Sequence, residues 1–275
     1  MLVSKDTLLY YHRILGYIVS TWIEEGVTEP EMINKNHING MLASIANGGG
    51  SDSYVHIHAR CIRTFMNFMV EADLIAAPIK FSMPKIHQKK LPVLTEEQVP
   101  IVLKACRTLR NRALVMMMVD TGLRLSEVAA LDWNDVDLET GLVFVQRGKG
   151  GKPRSVVAGA SARRAILAYK RTLVDKDENY PLFQTADGAR LSTGAIKTIM
   201  DKLWKKTGIH VTCHALRRTF ATQSLRSGMN LVYLQTMMGH TSVELTRRYI
   251  QTIDDDLLEE HRRHGPLDKI MKYKR

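Results

Sequence analysis

The 275-residue sequence predicts a mainly helical protein with one small antiparallel β element. Three observations carry that expectation. Apolar residues recur at steps of three and four through most of the chain, helix-start signatures precede those runs, and only one stretch sets β-type residues around turn glycines.

The elements follow in order. Leu8, Tyr11, Leu15, Ile18 and Trp22 mark one face of a first helix. "TEPE" is expected to open a second, with Thr28 as N-cap, Pro30 in the first turn and Glu31 closing a capping box. "NGGGS" at 47–51 ends it, and Ser51 or Ser53 caps a third helix carrying Cys61, Ile62, Phe65 and Phe68, with Arg60 and Arg63 on another side. The composition then changes. Pro78, Pro84 and Pro92 alternate with Lys80, Lys85, Lys89 and Lys90, a pattern expected of an extended basic linker. Residues 1–84 and 95–275 are therefore expected to be two domains joined by a linker at 85–94.

Thr95 with Gln98 forms another capping box, and helices are expected to continue to Gly122. Arg124 falls in the turn that follows, ahead of Ser126 as the next cap, with Glu127 placed to buttress an arginine. "LVFVQ" and "RSVV" flank "GKGG" as a hairpin. Further helices are expected from about Ser161, Ser192 and Thr212, shorter ones near Asn230 and Ser242, and a last amphipathic segment in "DDDLLEEHRRH".

Composition narrows the function classes. A hydrophobic fraction of 45% supports a real core and argues against wholesale disorder. The net charge is +11, of which residues 1–90 contribute +1, with nine Lys/Arg against eight Asp/Glu. A cationic second domain favours a polyanionic partner. An anionic membrane fits poorly, because the basic residues are scattered and not ranged beside an apolar helical face. The apolar run "ALVMMMV" at 113–119 falls far short of the ~20 residues that span a bilayer. Cys61, Cys106 and Cys213 have neither disulfide nor zinc spacing, and the first residues turn polar too early for a secretory leader. A cytoplasmic, nucleoid-associated location is the expectation.

Four stretches offer chemistry. His214 and Arg217 in "HALRRTFAT" share a helix face near a helix start, where the positive dipole end favours an anion. Arg124 occupies a tight turn from which it can point into a cleft. Lys149 stands at the hairpin tip among Arg147, Lys152 and Arg154, a charge density suited to phosphates. His240 follows Gly239, and Tyr249 comes nine residues later behind Arg247 and Arg248. Taken singly, a loop arginine, a turn lysine or a His-x-x-Arg is ordinary surface or core chemistry. Their joint order and spacing are not.

The strings "TGLRLSEV", "GKGGKPR", "HALRRTFAT", "MGHTS" and "TRRYI" closely resemble those of the tyrosine recombinase (phage integrase) family. The resemblance implies a helical, SAM-like core-binding domain, then a mixed but mostly helical catalytic domain with a small antiparallel sheet, in a compact Xer-like arrangement without a preceding arm-binding domain. It implies six catalytic residues, Arg124, Lys149, His214, Arg217, His240 and Tyr249, with Tyr249 as nucleophile, Lys149 as general acid, His214 as a base or a phosphate hydrogen-bond partner, and His240 as a further donor to the phosphate. It further implies double-stranded DNA as partner, a homotetramer on two duplexes, and a place for an accessory protein or a second recombinase. The segment from Asp254, with Leu257 and Leu258, would dock on a neighbouring subunit or pack in cis. Lys85, Lys89, Lys90, Arg60, Arg63, Arg147, Lys152 and Arg154 are the expected further DNA contacts.

The residue types suit phosphoryl transfer. In-line attack on a phosphodiester builds negative charge, and an arginine fork can grip two oxygens without losing its proton. A covalent tyrosyl phosphate keeps the energy of the broken bond, so neither ATP nor a metal is expected, and no clustered carboxylates suggest Mg²⁺. A type IB topoisomerase would use similar chemistry, and a non-catalytic DNA-binding regulator is the rival from another class. A helical segment after the nucleophile, suited to exchange between subunits, favours recombination.

Overall fold

The computed structural model describes residues 5–87, 91–146, 153–173 and 180–239. The chain divides into two compact units, Met1–Lys89 and Lys90–Arg275.

The first unit is built from α1 (Lys5–Glu24), α2 (Lys35–Asn47) and α3 (Asp52–Glu71). Its core gathers Ile18, Trp22, Ile38, Met41, Ala59, Ile62, Met66 and Met69. Ser51 caps α3 by accepting from the Tyr54 N–H, and Gly48 ends α2. The capping box expected at Thr28 does not form. Pro30–Met32 makes only a 3₁₀ turn, and α2 starts later, where Asn34 accepts from Asn36 and His37 and His37 Nδ1 accepts from the Asn34 N–H. An imidazole nitrogen fills the role expected of a carboxylate, and the asparagine oxygen serves two orphan donors at once. Phe68, grouped with the apolar positions of α3, is instead 56% exposed.

The second unit holds α4 (Gln98–Ala105), α5 (Leu109–Thr121), α6 (Leu125–Ala130), strands β1 (Leu142–Val145) and β2 (Arg154–Val157), then α7 (Ala160–Lys170), α8 (Thr193–Thr207), α9 (Cys213–Arg226) and α10 (Leu231–Met238). Its centre is α5, whose Ala113, Leu114, Val115, Met117 and Met118 are all buried. A helix apolar on several faces needs cover on several sides, and α7 and α9 supply it. Burying each of Leu114, Val115, Met117 and Met118 contributes about 1.5–3 kcal/mol. The strands pair antiparallel in the register Leu142 with Val157 through Val145 with Arg154. Val143, Val145 and Val156 turn inward, while Leu142, Phe144 and Val157 face out.

The ends of these helices place the functional turns. Thr95 and Gln98 exchange the expected capping hydrogen bonds, and Ser192, Thr212 and Asn230 cap α8, α9 and α10. The Thr219 hydroxyl accepts the buried Leu94 N–H at 2.9 Å and so ties the start of the unit to α9. Gly122 ends α5 in the left-handed conformation, with φ +62°. The N-cap of α6 is then Arg124, not Ser126, because Glu127 reaches back to accept from the Arg124 backbone N–H at 2.7 Å. This is the carboxylate half of a capping box, in which the residue three positions into the helix accepts from the N-cap N–H.

A Cβ on Gly122 would lie 2.3 Å from Cδ1 of the Phe220 ring. Left-handed strain and overpacking together predict that Gly122→Ala destabilises the second unit by on the order of 2–4 kcal/mol, read as a lowered melting temperature.

Candidate phosphate-binding site

Three arginines from three elements converge on one carboxylate. Glu127, on α6, is 4% exposed. Arg124, from the α5–α6 turn, donates from Nη1 to its Oε1 at 2.8 Å. Arg154, at the start of β2, donates from Nη1 and Nη2 to Oε1 and Oε2, both at 2.8 Å. Arg217, on α9 and itself 5% exposed, brings Nη1 to 4.0 Å from Oε2.

The same guanidiniums take the carbonyls at the end of α10. Arg154 Nε donates to Met237 O at 2.8 Å, Arg217 Nη2 to Met238 O at 2.5 Å and Arg124 Nη2 to Gly239 O at 2.9 Å. Arg217 Nη1 also donates to Gly122 O at 2.5 Å, which joins α9 to the turn bearing Arg124. The final carbonyls of a helix lack partners within it and form the negative end of its dipole. Arginines answer both needs here. Gly239 caps α10 with φ +59°, and a Cβ there would meet Arg154 Nε at 3.1 Å.

His214 lies one turn before Arg217 with its side chain exposed. Desolvation lowers its pKa from 6.5, and the charges of Arg218, Arg217, Arg124 and Lys197 lower it further. The imidazole is thereby biased towards the neutral form beside a strongly cationic surface. Burial pushes the Glu127 carboxyl up, but the Arg154 fork, the Arg124 backbone N–H and the arginine charges outweigh it and bring the pKa from 4.5 down to about 2.

Arg124, His214 and Arg217, singled out in the sequence, are thus brought to one place. Lys149, His240 and Tyr249 lie outside the described residues, as do Arg147, Lys152, Lys89 and Lys90. Arg60, Arg63 and Lys85 are exposed on the first unit, with the Arg63 guanidinium 5.8 Å from the Phe81 ring centre. Arg154 is placed differently from its expected role at a phosphate-facing surface: its side chain is 9% exposed and turned onto Glu127. Lys197 on α8 and Arg218 on α9 were not singled out, yet both act on His214. Lys197 has no local signature, since only tertiary packing brings it there. Among the described residues no group of three or more His, Cys, Asp or Glu could hold a metal, and no helix is long and apolar enough to cross a membrane.

Fixed guanidiniums beside a neutral-leaning imidazole are chemically suited to holding a phosphate group and moving a proton next to it. The family model for the phage integrase family matches residues 92–255, and the chain belongs to that family. Its relatives include the tyrosine recombinase XerA of Pyrococcus furiosus, 28% identical over 272 residues that cover 98% of this chain and 91% of the relative. A crystal structure of XerA recombinase matches with a TM-score of 0.57 at 27% identity, covering 96% of this chain and 93% of that one. A structure of the Tn1549 transposon integrase in complex with transposon right end DNA shares the fold, with a TM-score of 0.74 at 19% identity over 90% of this chain and 89% of that one.

Two pH effects follow. Because the Glu127 pKa is lower in the folded state, its contribution to stability is full above pH 4.5 and is lost as pH falls towards 2. Glu127→Gln should therefore flatten the stability profile across that window in acid denaturation. Because the His214 pKa is depressed, neutral imidazole persists below pH 6.5. A reaction that requires neutral His214 keeps its rate below that pH, and Lys197→Met moves the acid limb of its rate profile upward.

Proposed function

We propose that the protein is a site-specific DNA recombinase that breaks and rejoins strands through a 3′-phosphotyrosine on Tyr249. The observation that carries this reading is the convergence of Arg124 and Arg217 on Glu127 and the α10 carbonyls, with His214 beside them. Both guanidiniums are held by protein groups alone, and such preorganisation stabilises charge developing in a transition state.

In the proposed reaction the two arginines bind the non-bridging oxygens of the scissile phosphate. The Tyr249 oxygen attacks phosphorus in line, its proton passing towards His214. The bond to the 5′ oxygen breaks, and Lys149 supplies the proton to that leaving oxygen. His240 donates a further hydrogen bond to the phosphate. The phosphotyrosine conserves the bond energy, so a 5′ hydroxyl from a partner strand attacks it and releases Tyr249. A tyrosine hydroxyl has a reference pKa of about 10, so its deprotonation during attack depends on the cationic surroundings. No step needs ATP.

Residues 1–84 would serve as the core-binding domain and 95–275 as the catalytic domain, clamping a duplex with the basic linker 85–94 against it. Four protomers on two duplexes would exchange strands through a Holliday junction, on the nucleoid. Double-stranded DNA is the partner, and Arg60, Arg63, Lys85, Lys89, Lys90, Arg147 and Lys152 are the proposed contacts outside the cleavage site.

Sequencing of DNA crosslinked to Tyr249→Phe protein would give the half-sites. A nicked duplex carrying them should then trap a denaturation-resistant adduct with the wild-type protein and none with Tyr249→Phe. Two marked duplexes should yield Holliday junctions and recombinants. Plasmid relaxation without recombinant product would replace this reading with a topoisomerase, and the absence of any adduct would leave only a DNA-binding regulator.

A further inference from the structure

Arg154 has no place in the reaction just described, yet it makes the most complete contact with Glu127. Its fork covers both carboxylate oxygens at 2.8 Å, and its Nε holds Met237 O at 2.8 Å. The Arg154 side chain is 9% exposed, against 22% for Arg124, so it is the more deeply enclosed of the two. The cap of α10 rests directly on it, since a Cβ on Gly239 would meet its Nε, Cδ and Cζ at 3.1, 3.2 and 3.2 Å. Nε, Nη1 and Nη2 of Arg154 are all engaged by Met237 O and Glu127, so contact with the DNA backbone would compete with those partners.

Counting charge explains why it is there. Glu127 fixes Arg124 twice, through the backbone N–H and through Nη1. A carboxylate that orients a phosphate-binding arginine also cancels its charge, and in a poorly hydrated site that loss is large. With Arg154 in place, three guanidiniums face one carboxylate, and the group of four carries a net charge of +2. Removing Arg154 would leave Glu127 shared between Arg124 and the more distant Arg217, and the net charge would fall to +1.

We propose that Arg154 is a positioning residue of the cleavage site: it is the counter-ion that lets Glu127 orient Arg124 without consuming the positive charge offered to the phosphate. This inference rests on the recombinase reading and assigns Arg154 no contact with DNA. It also gives β2 a function, since the strand carries to the site a cation that the other arginine-bearing elements do not supply.

The test is single-turnover formation of the covalent adduct on the nicked duplex carrying the recovered half-sites, with DNA affinity measured in parallel. Arg154→Met should slow cleavage by about 100-fold with affinity nearly unchanged, the size of effect seen when charge stabilisation at a transition state is weakened. Glu127→Gln should cost less. The double variant Arg154→Met with Glu127→Gln removes both charges, so it should cleave about tenfold or more faster than Arg154→Met alone, a coupling read from a double-mutant cycle. Arg154→Lys, which keeps the charge but not the fork, should stay within about tenfold of wild type.

Arg154→Met cleaving at the wild-type rate would overturn the proposal. So would a double variant as slow as the product of the two single effects, because Arg154 would then act through packing alone. A loss confined to DNA affinity would make Arg154 a direct phosphate contact and overturn it equally. If Arg154→Met does not fold, Arg154→Lys decides: a folded protein with intact DNA binding that has lost more than about 100-fold in cleavage excludes the counter-ion role. Failure of the recombinase reading itself looks different, since the wild-type protein would then form no Tyr249-dependent adduct.

Discussion

The second unit is organised around a buried carboxylate that three guanidiniums cannot do without. Three arginines this close would repel one another, and a carboxylate this deeply buried would be costly alone, by several kcal/mol. Together they satisfy each other. Because Arg124, Arg154, Arg217 and Glu127 come from a turn, a strand and two helices, the ionic group can form only when those elements are all in place. The fold and the electrostatics of the site are therefore one condition.

The end of α10 completes the arrangement. Three successive carbonyls, Met237 to Gly239, each take one N–H from a different arginine. A carboxylate alone would attract the guanidiniums without fixing where their planes point. The carbonyls, set by helix geometry, supply direction, and the partial negative charge of a helix C-terminus eases the crowding of like charges. Glu127 thus brings the arginines together while α10 orients them.

Much of this was readable in the sequence, for reasons that can be named. Helix ends marked by local chemistry were legible: Ser51, Thr95 with Gln98, Ser192, Thr212 and Asn230 all cap as their side chains suggest, and Gly122 stops α5. The hairpin was legible because β-type runs flank turn glycines. The expectation failed where a competing partner intervened. Asn34 and His37 displaced the start expected at Thr28, and Glu127 took from Ser126 the capping of α6. At the site, Arg124, His214 and Arg217 stood out through their motifs. The inward turn of Arg154 did not, because "GKGGKPR" reads as a uniform basic hairpin and nothing local separates a surface cation from one destined for a buried carboxylate. Lys197 was invisible for the same reason, its relation to His214 being purely tertiary.

Phe220 lies three residues beyond Arg217 on α9, and its ring fills the space that Gly122 leaves open in front of Arg124. The helix carrying Arg217 is thus wedged against the turn carrying Arg124, with a hydrogen bond from Arg217 to the Gly122 carbonyl closing the joint. The packing of Phe220 at this turn adds an apolar contact to the polar ones that hold the two arginines. The spacing of the two cationic forks consequently depends on the hydrophobic interior as well as on Glu127 and α10, and heat should disperse the arginine cluster and the compactness of this unit in a single step, with no intermediate that has lost only the first.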